Sequence, residues 1–64
     1  MNEDLKYCFQ TYRRNLDDPI NIVRLVHLID ICDMMGWEID AEFRENYAEL
    51  VEKVNEIENN YHPT

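Results

Sequence analysis

Six glutamates form the most regular set of ionisable side chains in the sequence. They are Glu38, Glu42, Glu45, Glu49, Glu52 and Glu56. From Glu42 to Glu56 the spacing is alternately three and four residues, which aligns five glutamates on one face of an α-helix in a row about 20 Å long at 1.5 Å per residue, and Glu38 continues the row if the helix begins early. Arginine and lysine bind carboxylate and phosphate with similar geometry. This acidic row therefore predicts a binding surface for a basic region of a larger protein.

Two interpretations of the acidic row stay open. In one, it is only the solvated face of a glutamate-rich helix, because glutamate is a good helix former. In the other, it docks on a basic surface, including a groove that normally holds nucleic-acid phosphates. DNA-mimic inhibitors, often small acidic proteins of phages or mobile elements, work in this way, although no motif places this chain in such a family.

Signals for metal binding and catalysis are weak. His27 and Asp30 are three residues apart and could share a metal with Asp33, but paired cysteines or histidines at zinc-site spacing are lacking. There is no serine nucleophile, and a single glycine cannot build a phosphate-binding loop. Cys8 and Cys32 lie on apolar helix faces, which is typical of buried free thiols. We expect no metal, no cofactor and no enzymatic activity.

The central predicted helix, 19–35, has clear signals at both ends. Asp18 can cap its N-terminus, Pro19 suits the first helical position, and Gly36 suits a left-handed terminating residue. One apolar face of this helix comprises Ile22, Leu25, Val26, Ile29 and Cys32. The nearly opposite face comprises Ile20, Val23, His27, Ile31 and Met34.

A helix that is apolar nearly all round is usually buried on both faces. In a chain of 64 residues, the second face of the central helix must either pack between the two other helices or meet another molecule. We expect a homodimer through this second face, with the outer end of the third helix as the alternative surface.

The flanking segments also have helical patterns. Asn2 can cap a first helix, 3–16, whose apolar stripe includes Phe9, and Asp40 can cap a third helix, 41–61. The apolar stripe of the third helix comprises Phe43, Tyr47, Leu50, Val54, Ile57 and Tyr61. The expected fold is all-α: one domain, 1–64, formed by a small three-helix bundle whose third helix is the longest.

Charge and hydropathy restrict the partners. The chain has 14 acidic and 6 basic residues, a net charge of −8, which disfavours direct binding to nucleic acid or anionic membranes and favours a basic partner. No apolar run reaches membrane-spanning length, and the N-terminal MNEDLKY has no signal-peptide pattern. We therefore expect a cytoplasmic protein that occupies a basic surface as a regulator or inhibitor. The alternative is an assembly module that binds through an apolar helix face.

Overall fold

The structure is a computed structural model that describes residues 2–60, and all of its regular secondary structure is helical. It contains the helices α1 (Glu3–Arg14), α2 (Pro19–Met35), α3 (Ala41–Arg44) and α4 (Tyr47–Asn60). The expectation of an all-α fold is confirmed. The third predicted helix, however, is divided into α3 and α4, so the prediction that it is the longest is wrong: α2, with 17 residues, is longer than α4, with 14.

Helix α2 begins and ends where its sequence signals predict. The Asp18 carboxylate accepts a hydrogen bond from the Ile20 N–H at 3.0 Å. At the other end Gly36 has a φ of 74°, and the Trp37 N–H donates to the Cys32 carbonyl at 2.8 Å. Glycine adopts this left-handed conformation without a Cβ penalty, so the last carbonyl groups of α2 find donors.

Helix α1 is two residues shorter than predicted. The Asn2 side chain accepts a hydrogen bond from the Asp4 N–H at 2.7 Å, as expected of an N-cap. The helix ends at Arg14 because Asn15 leaves the helical conformation, with φ −136° and ψ 65°. The Asn15 carbonyl instead accepts a hydrogen bond from the Asn21 side-chain amide at 2.9 Å.

The core lies between α2 and its two long neighbours. Both α1 and α4 pack against α2, and the predicted inner face of α2 is the buried one. The buried residues are Phe9, Ile22, Leu25, Val26, Ile29, Cys32, Phe43, Leu50 and Val54. Cys32 is buried as predicted, whereas Cys8 is only half-buried, and both thiols are free.

The predicted continuous helix 41–61 is wrong at Glu45 and Asn46. Asn46 has a φ of 62°, a left-handed conformation that asparagine tolerates better than most residues with a side chain. Because the chain leaves the helix there, carbonyl groups at the end of α3 need other donors. The Arg13 guanidinium supplies them, donating to the Phe43 carbonyl at 3.5 Å and the Glu45 carbonyl at 3.4 Å. Tyr61, predicted to end the helix, lies outside the described residues.

Candidate functional site

The break at Asn46 divides the acidic row. Glu38 precedes α3, Glu42 lies on α3, and Glu45 lies at the break, while the remaining three glutamates lie on α4. All six side chains are exposed. The six glutamates therefore do not share one helix face, and the predicted line of about 20 Å does not form.

Three carboxylates of the row stay aligned on α4. Glu49, Glu52 and Glu56 follow one another at three and four residues, a length of about 10 Å, on the side away from the buried Leu50 and Val54. Lys53 lies beside them, yet none of the three forms an ion pair within the described chain. We call Glu49, Glu52 and Glu56 the α4 carboxylates.

Glu45 has an internal partner. Its carboxylate lies 3.9 Å from the Arg13 guanidinium, the same group that donates to the Phe43 and Glu45 carbonyls. Arg13 thus joins the end of α1 to the break between α3 and α4. Glu45 is therefore less available to an external cation than the α4 carboxylates are.

The two aspartates weighed as metal ligands hold α2 to the segment around the break. Arg44 donates two hydrogen bonds to Asp33, one of them at 3.2 Å from Nη1 to Oδ2, and the Tyr47 hydroxyl donates to Oδ1 of Asp30. The Arg44 hydrogen bond lowers the pKa of Asp33 and in turn raises the pKa of Arg44. The hydrogen bond with Asp30 raises the pKa of Tyr47.

His27 and Cys32 do not join these aspartates in one cluster. His27 is exposed, whereas Cys32 is buried, and burial followed by the nearby Asp33 charge raises the pKa of its thiol. A raised pKa leaves little thiolate near neutral pH, and thiolate is the form that attacks carbon or binds metal. Within residues 2–60, no group of three or more histidine, cysteine, aspartate or glutamate side chains is arranged to hold a metal ion.

The Asp33–Arg44 pair predicts a pH-dependent contribution to stability. Because the folded-state pKa of Asp33 lies below its usual 3.8, the stabilisation is present above that value and is lost as pH falls through the lower folded-state pKa. Asp33→Asn should therefore lower the melting temperature at neutral pH, and the difference from wild type should shrink on acidification. Thermal unfolding followed by circular dichroism measures both curves.

Asp17→Asn is the matched control, because the Asp17 carboxylate is exposed and forms no ion pair within the described residues. This variant should follow the wild-type curve at every pH. A difference between Asp33→Asn and wild type that does not change on acidification would contradict the role given to the ion pair.

The predicted second face of α2 is accessible. Apart from Val23, which packs partly against the core, this face is left open by α1 and α4: Ile20 is 56% exposed, Ile31 46% and Met34 80%. We call this face, with its members Ile20, Val23, His27, Ile31 and Met34, the outer α2 surface. Val23 and His27 complete it, Val23 half-buried and His27 exposed.

A groove adjoins the outer α2 surface at the N-terminal end of α2. It has a volume of about 730 Å³, and Ile20, Val23 and Ile57 supply apolar parts of its lining, with Arg24 at its side. Ile57 belongs to α4, so the groove lies between the start of α2 and the second half of α4. An apolar side chain from another molecule could enter it.

Comparison of the chain with known protein families, curated proteins and solved structures finds no match. No helix among residues 2–60 is long and apolar enough to cross a membrane. Two surfaces therefore remain as a basis for inferring function: the outer α2 surface and the α4 carboxylates.

Proposed function

We propose that the protein is a non-catalytic association module that binds a partner helix through the outer α2 surface. The observation that carries this proposal is the exposure of Ile20, Ile31 and Met34, 46–80% per side chain, along one face of a single helix. Isolated apolar residues are common on protein surfaces, but a contiguous apolar patch marks a site of interaction.

Helix α2 presents this surface in a fixed form. Its opposite face is buried in the core, and both of its ends are capped. Burial of one such side chain contributes about 1.5–3 kcal/mol, and a preformed backbone reduces the ordering cost that association must offset. Several of these side chains buried together would therefore support a specific contact with a helix of complementary shape.

The α4 carboxylates support a second candidate function, that of a regulator or inhibitor which occupies a basic, nucleic-acid-binding surface of a larger protein. Glu49, Glu52 and Glu56 point away from the core without an ion-pair partner in the described chain, and the net charge is −8. We rank this function second because the aligned part of the row is about half its predicted length, so fewer carboxylates can engage one straight groove.

Capture of partners by the tagged protein from a cell lysate, at low and at high salt, tests the two functions. Apolar docking should survive high salt and should be lost with Met34→Glu, which places a charge within the contact. Electrostatic docking should be lost at high salt, because salt screens charge pairs. It should also be lost when Glu49, Glu52 and Glu56 are all changed to glutamine.

Asn55→Glu is the matched control for Met34→Glu. It adds the same charge at an exposed position of α4, outside the outer α2 surface, and it should leave apolar capture unchanged. Capture that resists both high salt and Met34→Glu would contradict the association module. Capture that is lost both at high salt and in the triple glutamine variant would indicate that the protein binds its partner through the α4 carboxylates.

A further inference from the structure

We propose that a second groove, at the end of the molecule where α1 begins and α2 ends, holds an arginine side chain from a basic segment of a partner protein. The groove has a volume of about 620 Å³ and is lined by Asn2, Leu5, Gly36, Trp37 and Glu38. We call it the Trp37 groove. It shares no residue with the outer α2 surface or with the α4 carboxylates, so the inference goes beyond the proposed function and is tested independently of it.

Contacts within the chain hold the Trp37 groove in place. The Trp37 N–H donates to the Cys32 carbonyl at 2.8 Å. The Gly36 N–H donates to the Asp33 carbonyl at 3.2 Å, and together these bonds fix the turn that carries the indole. On the other side of the groove, Leu5 is half-buried and packs against the core. The groove therefore forms without a ligand, which reduces the ordering cost of association.

The indole of Trp37 is open to a ligand. Trp37 is 50% exposed, and among residues 2–60 its ring takes part in no aromatic or cation–π contact. A cation over the face of an aromatic ring is attracted by the ring quadrupole, and tryptophan attracts it most strongly. The exposed indole therefore favours a cationic group as the occupant of the groove.

The charges around the Trp37 groove are complementary to a cation. Glu38 is exposed and forms no ion pair within the described chain, and Glu3 and Asp4 lie in the first turn of α1. The last turn of α2 contains no basic residue that would offset the negative end of its helix dipole. Lys6, the basic residue next to Leu5 in the sequence, is exposed and does not line the groove. A cation is therefore attracted to this end of the molecule, whereas a phosphate or carboxylate is repelled.

The mixture of apolar and acidic lining favours arginine over lysine. Leu5 and Trp37 provide apolar surface against which the stem of a long basic side chain can pack, and Glu38 provides the carboxylate. A guanidinium is planar, weakly hydrated, stacks on aromatic rings and binds a carboxylate through two parallel hydrogen bonds. A lysine ammonium is compact and strongly hydrated, so it loses more on leaving water for the same groove.

Fluorescence of the full chain tests the proposal, because Trp37 is its single tryptophan. Acetylated and amidated hexa-arginine, hexalysine and hexacitrulline are the probes, titrated at low ionic strength. Hexa-arginine should change the Trp37 emission in a saturable way, with a dissociation constant at least about threefold lower than that of hexalysine. Hexacitrulline has nearly the shape of hexa-arginine without its charge, and it should leave the emission unchanged.

Anisotropy of fluorescein-labelled hexa-arginine extends the test to variants of the groove. Trp37→Leu should raise the dissociation constant at least about threefold and remove the preference over hexalysine. Glu38→Gln should raise it by about two- to fivefold. Glu52→Gln is the matched control for Glu38→Gln, since it removes one carboxylate at an exposed position of α4, and its effect should be smaller. Circular dichroism shows whether each variant is folded.

Each outcome decides the proposal. Equal affinities for hexa-arginine and hexalysine, or a response to hexacitrulline, would overturn the assignment of arginine. An unchanged Trp37 emission, or equal effects of Glu38→Gln and Glu52→Gln, would show that the peptide binds through the overall negative charge and would overturn the Trp37 groove as its site. None of these measurements involves the outer α2 surface, so their failure would leave the association module standing.

Discussion

Ile29→Ala is expected to lower the free energy of unfolding by about 2–5 kcal/mol, the range for removal of a large aliphatic side chain from a packed core. Ile29 is fully buried in the centre of α2. A domain of this size has a core that supplies only about 3–5 kcal/mol of net stability. The loss is therefore comparable to the whole net stability, and unfolding of the variant should shift to a much lower urea concentration and temperature when followed by circular dichroism.

Ile31→Ala is the matched control, since it makes the same substitution two residues further along α2 at a side chain that is 46% exposed. Measured in dilute solution, where association is negligible, its free energy of unfolding should lie within about 0.5 kcal/mol of wild type. In the capture experiment it should instead weaken binding of a partner through the outer α2 surface. Equal losses of stability in the two variants would contradict the assignment of inner and outer faces to α2.

The bounds and faces of α2 were predictable because their causes are local. Asp18, Pro19 and Gly36 act on the residues next to them, and helical periodicity alone separates Ile29 from Ile31. The same periodicity identified the outer α2 surface as a candidate site. What periodicity could not predict is whether that surface would be covered by the chain's own helices, because this depends on where α1 and α4 pack.

The break at Asn46 was not predictable from local sequence. Neither glycine nor proline marks it, and Asn55 and Asn59 have the same residue type within helical α4. The side chain that satisfies the carbonyls before the break is Arg13, which lies 30 residues before Phe43 and 32 before Glu45. A pattern read along one helix contains no information about such a contact.

The acidic row was mispredicted for the same reason. The prediction assumed one helix that continues through Glu45. Because of the break, the first three of the six glutamates do not lie on the helix that carries the other three. The interactions of Asp30 and Asp33 were equally hidden, because their partners Tyr47 and Arg44 lie 17 and 11 residues away. Only the α4 carboxylates keep the predicted alignment, since they lie on one uninterrupted helix.

Phe43→Ala should cost about 3–5 kcal/mol of the free energy of unfolding. The Phe43 ring stacks on Phe9 with centroids 4.9 Å apart and planes 11° apart, and Phe43 is the buried residue of α3. A helix of four residues is too short to persist without tertiary contacts. Loss of this anchor should therefore release α3 and with it the carbonyl groups that Arg13 contacts.

Phe43→Leu separates the loss of α3 from global unfolding. Leucine keeps an apolar side chain in the core but removes the ring stacking, which contributes about 0.5–1.5 kcal/mol beyond burial. Amide hydrogen exchange should become faster in residues 41–46 of this variant, while α4 retains protection through Leu50 and Val54, which stay buried against α2. Tyr7→Ala is the aromatic control, and because Tyr7 is 69% exposed, we expect a smaller loss of stability.

The same exchange experiment tests whether the α4 carboxylates are held independently of the rest of the acidic row. Faster exchange confined to residues 41–46 would show that Glu42 and Glu45 can move while Glu49 and Glu52 stay on an intact helix. Equal acceleration in α3 and α4 would show instead that the two helices open as one unit despite the break at Asn46. In that case the glutamates on both sides of the break would be ordered or released together, and the distinction between Glu45 and the α4 carboxylates would not hold.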